Sequence, residues 1–135
     1  MTEPCRPEKR NLTGVWNGLY TYRDGRSTSF VATLIESGGS LCGTTHEPSV
    51  TGGAGAMLLA SLAGDRSDSA VTFTKTYERP DAFHRSPVHY EGALNGDGTE
   101  IEGRWTIMRL WSGKFLMVRS SGQEIRAEHE AHART

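Results

Sequence analysis

A chain of 135 residues is one ordinary domain's length, and 15 Lys and Arg against 16 Asp and Glu leave a net charge of −1, so no basic excess draws it toward nucleic acid. Hydrophobic residues at 36%, with 3 Trp, 4 Tyr and 4 Phe, supply enough apolar material for one core and exclude wholesale disorder. The longest apolar stretch, around 56–63, is far shorter than the ~20 residues of a membrane-spanning helix, and residues 1–10 are polar throughout, so the expectation is a soluble, cytoplasmic protein without a membrane span.

From Leu12 to Ser121 the chain breaks into short β-like runs separated by turn residues, with no helical period of apolar positions. The first run is Leu12 to Tyr22, closed by Arg23-Asp24-Gly25, and the second is Ser27 to Glu36, closed by Ser37-Gly38-Gly39. A third, Ser40 to His46, leads into Glu47-Pro48 and the glycine-rich 52–55 stretch, which reads as a long loop. Ala56 to Ala63 is assigned as the fourth strand, stopping at Gly64-Asp65, and Ser69 to Glu78 as the fifth.

A mixed loop from Arg79 to Ser86 carries His84, which could gate an entrance or meet an anion, although a solvated loop is the simpler account. Val88 to Leu94 is the sixth strand, and Asn95-Gly96-Asp97-Gly98 is a strong hairpin signal. The seventh runs from Thr99 to Leu110, turns through Trp111-Ser112-Gly113 and returns as Lys114 to Ser120. The expected organisation is all-β: an N-terminal segment over 1–11, an eight-stranded up-and-down antiparallel barrel over 12–120, and a polar C-terminal tail over 121–135. Closure removes the exposed edges an open sheet of this length would carry, although a two-sheet sandwich is the structural alternative.

The first strand contains Gly14-Val15-Trp16, followed by a Leu41-Cys42-Gly43-Thr44 strand, a Tyr90-Glu91-Gly92 strand, Trp105 late in the Ile101 to Ile107 run, and Arg119 closing the last strand. This succession resembles the calycin barrels, the lipocalin-like and avidin-like proteins, and the resemblance implies that Trp16 plugs one closed end. The short strands and brief connections are more similar to the avidin branch. Against the biotin-binding pattern of that branch stand Tyr77 where a Trp is favoured, Val88 and Tyr90 on the sixth strand, and Asn17 one position out of register.

Strand alternation then assigns an interior. Phased on Trp16, the first strand sends Gly18, Tyr20 and Tyr22 inward; the fifth sends Val71, Phe73, Lys75 and Tyr77. The sixth adds Val88 and Tyr90, and the seventh, phased on Trp105, adds Ile101, Ile107 and Arg109. Trp111, in a turn, reads as a lid over a pocket or as a contact with another chain. An inward cation in an apolar barrel is costly unless paired, hydrated or met by an anionic ligand group, so Lys75 and Arg109 either face an acidic ligand, snorkel to water, or pair with Glu91 or Glu102.

No phosphate-binding loop, dinucleotide fingerprint or nucleophile elbow is present, and neither His46 with Glu47 nor His84 with His89 has metal-ligand spacing; no cofactor or metal is expected. Cys42 reads as a small strand side chain. The leading expectation is a binding protein holding a small, largely hydrophobic or amphipathic molecule against Tyr20, Tyr22, Phe73, Tyr77, Tyr90, Trp105 and Trp111, with Lys75 or Arg109 facing any acidic group. The alternatives are a small barrel enzyme, an isomerase, cyclase or hydrolase using Tyr, His or Lys as acid or base, and an interaction module with a packed interior. Leu19, Leu58, Leu62, Leu116 and Val118, placed outward, suggest self-association as a homodimer.

Overall fold

The computed structural model describes residues 11–48, 57–78 and 86–120. Eight strands follow one another in chain order: β1 (Gly14–Thr21), β2 (Ser27–Ser37), β3 (Ser40–Pro48), β4 (Met57–Ser67), β5 (Ala70–Tyr77), β6 (Val88–Leu94), β7 (Glu100–Ile107) and β8 (Trp111–Arg119). Each pairs antiparallel with its sequence neighbour, and β1 also pairs with β8, so the sheet closes into the expected up-and-down barrel.

Closure sorts the strand ends into two groups. At one end lies Trp16, fully buried, with its indole Nε1 donating to the Leu12 carbonyl at 2.9 Å. The Arg119 guanidinium lies 4.6 Å from the Trp16 ring centre and donates to the carbonyls of Asn11, Thr13 and Gly98, tying the chain ends across this rim. Around Trp16 the core is aliphatic: Leu34, Leu41, Val71, Ile101 and Met117 are all at most 3% exposed. The opposite end, where β1, β3, β5 and β7 finish, is filled by tyrosines, Phe30 and Trp105.

The inward phases read from Trp16, Phe73, Tyr90 and Trp105 hold in the structure, since Tyr20, Val71, Lys75, Tyr77, Val88 and Ile101 are buried with them. Several strand boundaries differ from expectation. β4 continues to Ser67 instead of stopping at Gly64, because that glycine is a packing position: a Cβ there would meet the Thr72 carbonyl oxygen at 2.0 Å and the Phe73 Cα at 2.5 Å. Gly113 is likewise inside β8 rather than in a turn, where a Cβ would meet the Thr21 carbonyl oxygen at 2.0 Å and the Trp105 ring at 2.6 Å.

The β7–β8 turn falls instead at Met108 and Arg109, both with positive φ, at 52° and 61°, closed by the Leu110 amide donating to the Ile107 carbonyl at 3.0 Å. Arg109 is therefore exposed in the turn and not inside the barrel, because the alternation that would carry it inward ends at Ile107. Leu62 is also corrected: it is 3% exposed, facing inward on β4, and contributes nothing to an outer apolar face. Leu58 is corrected with it, since it shares the phase of Ala60 and Leu62 and packs against the core; Leu19 is 41% exposed as expected, and Leu116 and Val118 are half-buried. The Arg79 to Arg85 part of the His84 loop, the glycine-rich 52–55 stretch and the tail after Ser120 lie outside the described residues.

Candidate functional site

β3 runs two residues further than its sequence suggests, and this extension carries the decisive side chain. Leu41, Thr45 and Glu47 share the inward phase of β3, so Glu47 enters the barrel with 1% of its surface exposed. From β5, Lys75 enters with the same 1% exposure, and its Nζ lies 3.1 Å from Glu47 Oε1. Tyr77, two residues along β5, donates its hydroxyl to the same oxygen at 2.9 Å. Tyr20, from β1, donates to Glu47 Oε2 at 2.5 Å. Two strands thus converge three donors on one carboxylate carried by a third.

The partners that spacing offered for Lys75, Glu91 and Glu102, are on the outer face and exposed. The ammonium is also enclosed by rings: Nζ is 4.7 Å from the ring centre of Tyr20, 4.8 Å from that of Tyr77, and 5.5 Å from those of Phe30 and Tyr90. Burial pulls the Lys75 pKa below the ordinary lysine value, and the Glu47 carboxylate works against that pull. Burial also pushes the Tyr20, Tyr77 and Tyr90 hydroxyls well above the ordinary tyrosine value, with the negative charge on Glu47 adding to the effect. These hydroxyls hold their protons, which suits them as donors to Glu47.

The other expected residues take definite places. Phe73 stacks on Tyr90 with ring centres 4.8 Å apart and planes at 18°, and Phe115 meets both edge-on. Trp105 is buried, donates its Nε1 to the Thr21 carbonyl at 3.2 Å, and packs edge-on against Tyr20 and Tyr22. Tyr22 is half-buried just beyond β1. Trp111 follows the inward phase of β8 but lies past the barrel's end, 65% exposed, and touches none of this cluster in the contacts described. Arg109 is outside, so a single interior cation remains of the two expected, and it already has its anion.

Thr45, Phe30 and Phe115 belong to the site without having been singled out in the sequence, and Glu47 stands out there only as a partner of His46. Thr45 is 1% exposed, and its hydroxyl oxygen has no hydrogen-bond partner. It sits in register between Ala32 on β2 and Ala60 on β4, both fully buried, so the wall beside Glu47 is built from small side chains. A separate cleft of about 420 Å³ opens at the Trp16 end, lined in part by Glu36, Arg66, Asp68 and Asn95. Its central ion pair, Arg66 to Glu36 at 2.9 Å, also holds the Leu12 amide, which makes it part of the rim structure.

No family model matches the chain, and no curated protein matches it. Among solved structures it is similar to a redesigned β-barrel, with a TM-score of 0.69 at 15% identity over 89% of this chain and 100% of that one. It is also similar to a de novo designed fluorescence-activating β-barrel, with a TM-score of 0.59 at 13% identity over 83% of this chain and 96% of that one. At these identities the likeness shows the fold alone. Among the described residues, no helix is long and apolar enough to cross a membrane.

Proposed function

We propose that this barrel is a small-molecule binding protein of calycin type, and that its ligand is held at the tyrosine end against Tyr20, Phe73, Tyr77, Tyr90 and Trp105. The observation that carries this reading is the buried Glu47–Lys75 pair with its two tyrosine donors. Well-packed apolar residues of similar volume would hold a barrel interior together as well as a buried ion pair does, or better, so a polar cluster there is best explained by something it recognises. The fluorescence-activating role of one designed neighbour belongs to that protein, and it supports this reading only as an example of what such a fold can host.

The ligand class follows from the pairing. Lys75 already faces a carboxylate, so a second acid would compete with Glu47 for the same ammonium, and Arg109 is too far outside to help. A largely apolar, uncharged molecule with a carbonyl or hydroxyl group fits better. It can stack on the rings and meet the unpartnered Thr45 hydroxyl. Acid–base catalysis by the same cluster is less well supported, because tyrosine hydroxyls with strongly raised pKa values are poor proton donors to a substrate near neutral pH.

The test is a fluorescence titration with the neutral dye Nile red and with an anionic fluorescent fatty acid, on wild type and on Ala60→Leu, which fills the small-residue wall. Saturable Nile red binding, tighter than the fatty acid and lost in Ala60→Leu while circular dichroism is unchanged, is the expected result. Dye binding that ignores the interior substitution would reject the proposal. Native mass spectrometry of the purified protein, followed by denaturing extraction, would identify any molecule it carries.

A further inference from the structure

The β7–β8 tip presents four consecutive exposed residues, Met108 to Trp111, that the interior site does not use. Met108 is 64% exposed, Leu110 72% and Trp111 65%, the highest exposures of any large hydrophobic side chains described, and Arg109 stands among them. The connection is three residues between the paired Ile107 and Trp111, and its Ile107–Leu110 β-turn has both central residues at positive φ, a conformation that favours Asn-Gly. Met108 and Arg109 occupy it instead, so the local preference of the turn is overruled in favour of large exposed side chains, with the Met108 sulfur accepting from the Ser86 hydroxyl at 3.3 Å. Met57 and Leu59, 49% and 52% exposed, add apolar surface on the opposite wall at the same end.

Charge is divided along the barrel in the same sense. At the tip's end, among the described residues, Arg23, Arg109 and Lys114 are exposed, Arg26 is matched by Asp24 at 2.7 Å, and Glu78 is the other exposed acid. The Trp16 end exposes Asp65, Asp68, Asp97 and Glu100. Its arginines are already engaged, Arg66 on Glu36 and Arg119 on backbone carbonyls. Among the described residues the exposed charge is therefore polarised, basic where the apolar tip projects and acidic at the far end.

We propose that this tip docks the barrel on an anionic lipid surface, with Leu110 and Trp111 entering the headgroup boundary and Arg109 and Lys114 meeting lipid phosphates. An indole with an apolar body and one N–H suits that boundary, and a few apolar side chains with neighbouring cations are a recognised way to lie on a bilayer without crossing it. A second copy of the chain fits less well. A stable protein interface buries about 1,200 Å² or more in total, which a narrow convex hairpin tip does not offer, and a tip-to-tip dimer would oppose like charges. The docking stands independently of the interior ligand, although it would bring the tyrosine end of the barrel to the surface from which an apolar molecule could be drawn.

The experiment uses the full chain with vesicles of phosphatidylcholine alone and of phosphatidylcholine with phosphatidylglycerol. Trp16 and Trp105 are buried, so a shift in tryptophan emission reports Trp111. The expected result is co-sedimentation and a blue shift with the anionic vesicles only, both reversed by salt. Arg109→Glu should weaken binding by about tenfold or more, since each basic residue near an anionic surface is worth a factor of about five. Leu110→Ser with Trp111→Ser should abolish co-sedimentation, and unchanged circular dichroism and melting show that these exposed substitutions leave the barrel folded. Failure of wild type to bind anionic vesicles at low salt would overturn the proposal, as would binding that survives the double substitution. Tip-dependent self-association without vesicle binding would overturn it in favour of a second copy. Loss of Nile red binding in the interior variant with vesicle binding intact would leave the docking standing, so the two proposals fail separately.

Discussion

Removing Glu47 should be far worse than removing Glu47 and Lys75 together. In Glu47→Leu the Lys75 ammonium, 1% exposed, loses the carboxylate 3.1 Å away, and the Tyr20 and Tyr77 hydroxyls lose their acceptor. Breaking a buried pair by removing one partner costs about 3 to 5 kcal/mol, and each orphaned donor adds about 1 to 3 kcal/mol where water cannot reach it. A loss of about 4 kcal/mol or more is expected, a large part of the 5 to 15 kcal/mol that hold a typical domain together. Adding Lys75→Met removes the stranded charge, so the double variant should regain about 2 to 4 kcal/mol and be more stable than its single parent. Lys75→Met alone is milder, because Glu47 keeps two tyrosine donors. Urea unfolding followed by tryptophan emission, compared at equal slope, measures all four corners of the cycle. If Lys75→Met destabilises Glu47→Leu by the same amount as wild type, within about 0.5 kcal/mol, the two side chains are not coupled and the account of the cluster is wrong.

Three further outcomes follow from other parts of the molecule. The unfolded chain releases tyrosine protons near pH 10 while native Tyr20, Tyr77 and Tyr90 retain theirs, so the native state binds more protons and stability should fall above about pH 10 by about 1.4 kcal/mol per pH unit for each buried tyrosine. Lys75, whose pKa is lowered, adds stability with rising pH only below its unfolded value; in a Tyr22→Phe background, phenolate absorbance appearing before the circular dichroism of the barrel is lost would contradict proton retention by the three buried tyrosines. Arg119→Met should cost about 2 to 3 kcal/mol in denaturant unfolding, since it removes charged donors from three carbonyls, and Arg119→Lys should restore little because an ammonium lacks the planar fork; a loss below about 0.5 kcal/mol would show the clasp to be incidental. Replacing Met108 and Arg109 by Asn and Gly should raise stability by about 1 kcal/mol, since those residues suit a turn with positive φ, while weakening vesicle binding; lower stability would mean the tip is held by contacts rather than strained.

The barrel and most of its interior were legible because aromatic anchors fix the phase of a strand. Once Trp16, Phe73, Tyr90 and Trp105 face inward, alternation places Tyr20, Lys75 and Tyr77 with them, and all are buried. Glu47 was not legible as an interior residue because Pro48 and the following glycines read as the start of a loop. The signal was present one step earlier: Leu41 and Thr45 share a phase whose next member is Glu47. Alternation failed in the other direction at Arg109, where it ran past the end of a strand, since nothing in Met-Arg-Leu marks a tight turn. Gly64 and Gly113 were read as breakers, yet each serves close packing across the sheet, a role that depends on partners distant in sequence.

The separation of roles along the axis explains why these features coexist in a chain of this size. The Trp16 end supplies the aliphatic packing and the arginine clasp that close the barrel, so the tyrosine end is free to hold groups that packing alone would not select. There the Glu47–Lys75 pair is neutral as a unit, and an acid entering beside it must separate the pair or leave a charge unmatched, whereas a neutral polar molecule disturbs neither. Selection against acids would then arise from the pair's completeness, and the two tyrosine hydroxyls sustain it by keeping Glu47 fully hydrogen-bonded. Under the proposed binding role, Tyr20 and Tyr77 would be determinants of ligand choice, since loosening either would free the carboxylate and shift preference toward molecules that donate hydrogen bonds.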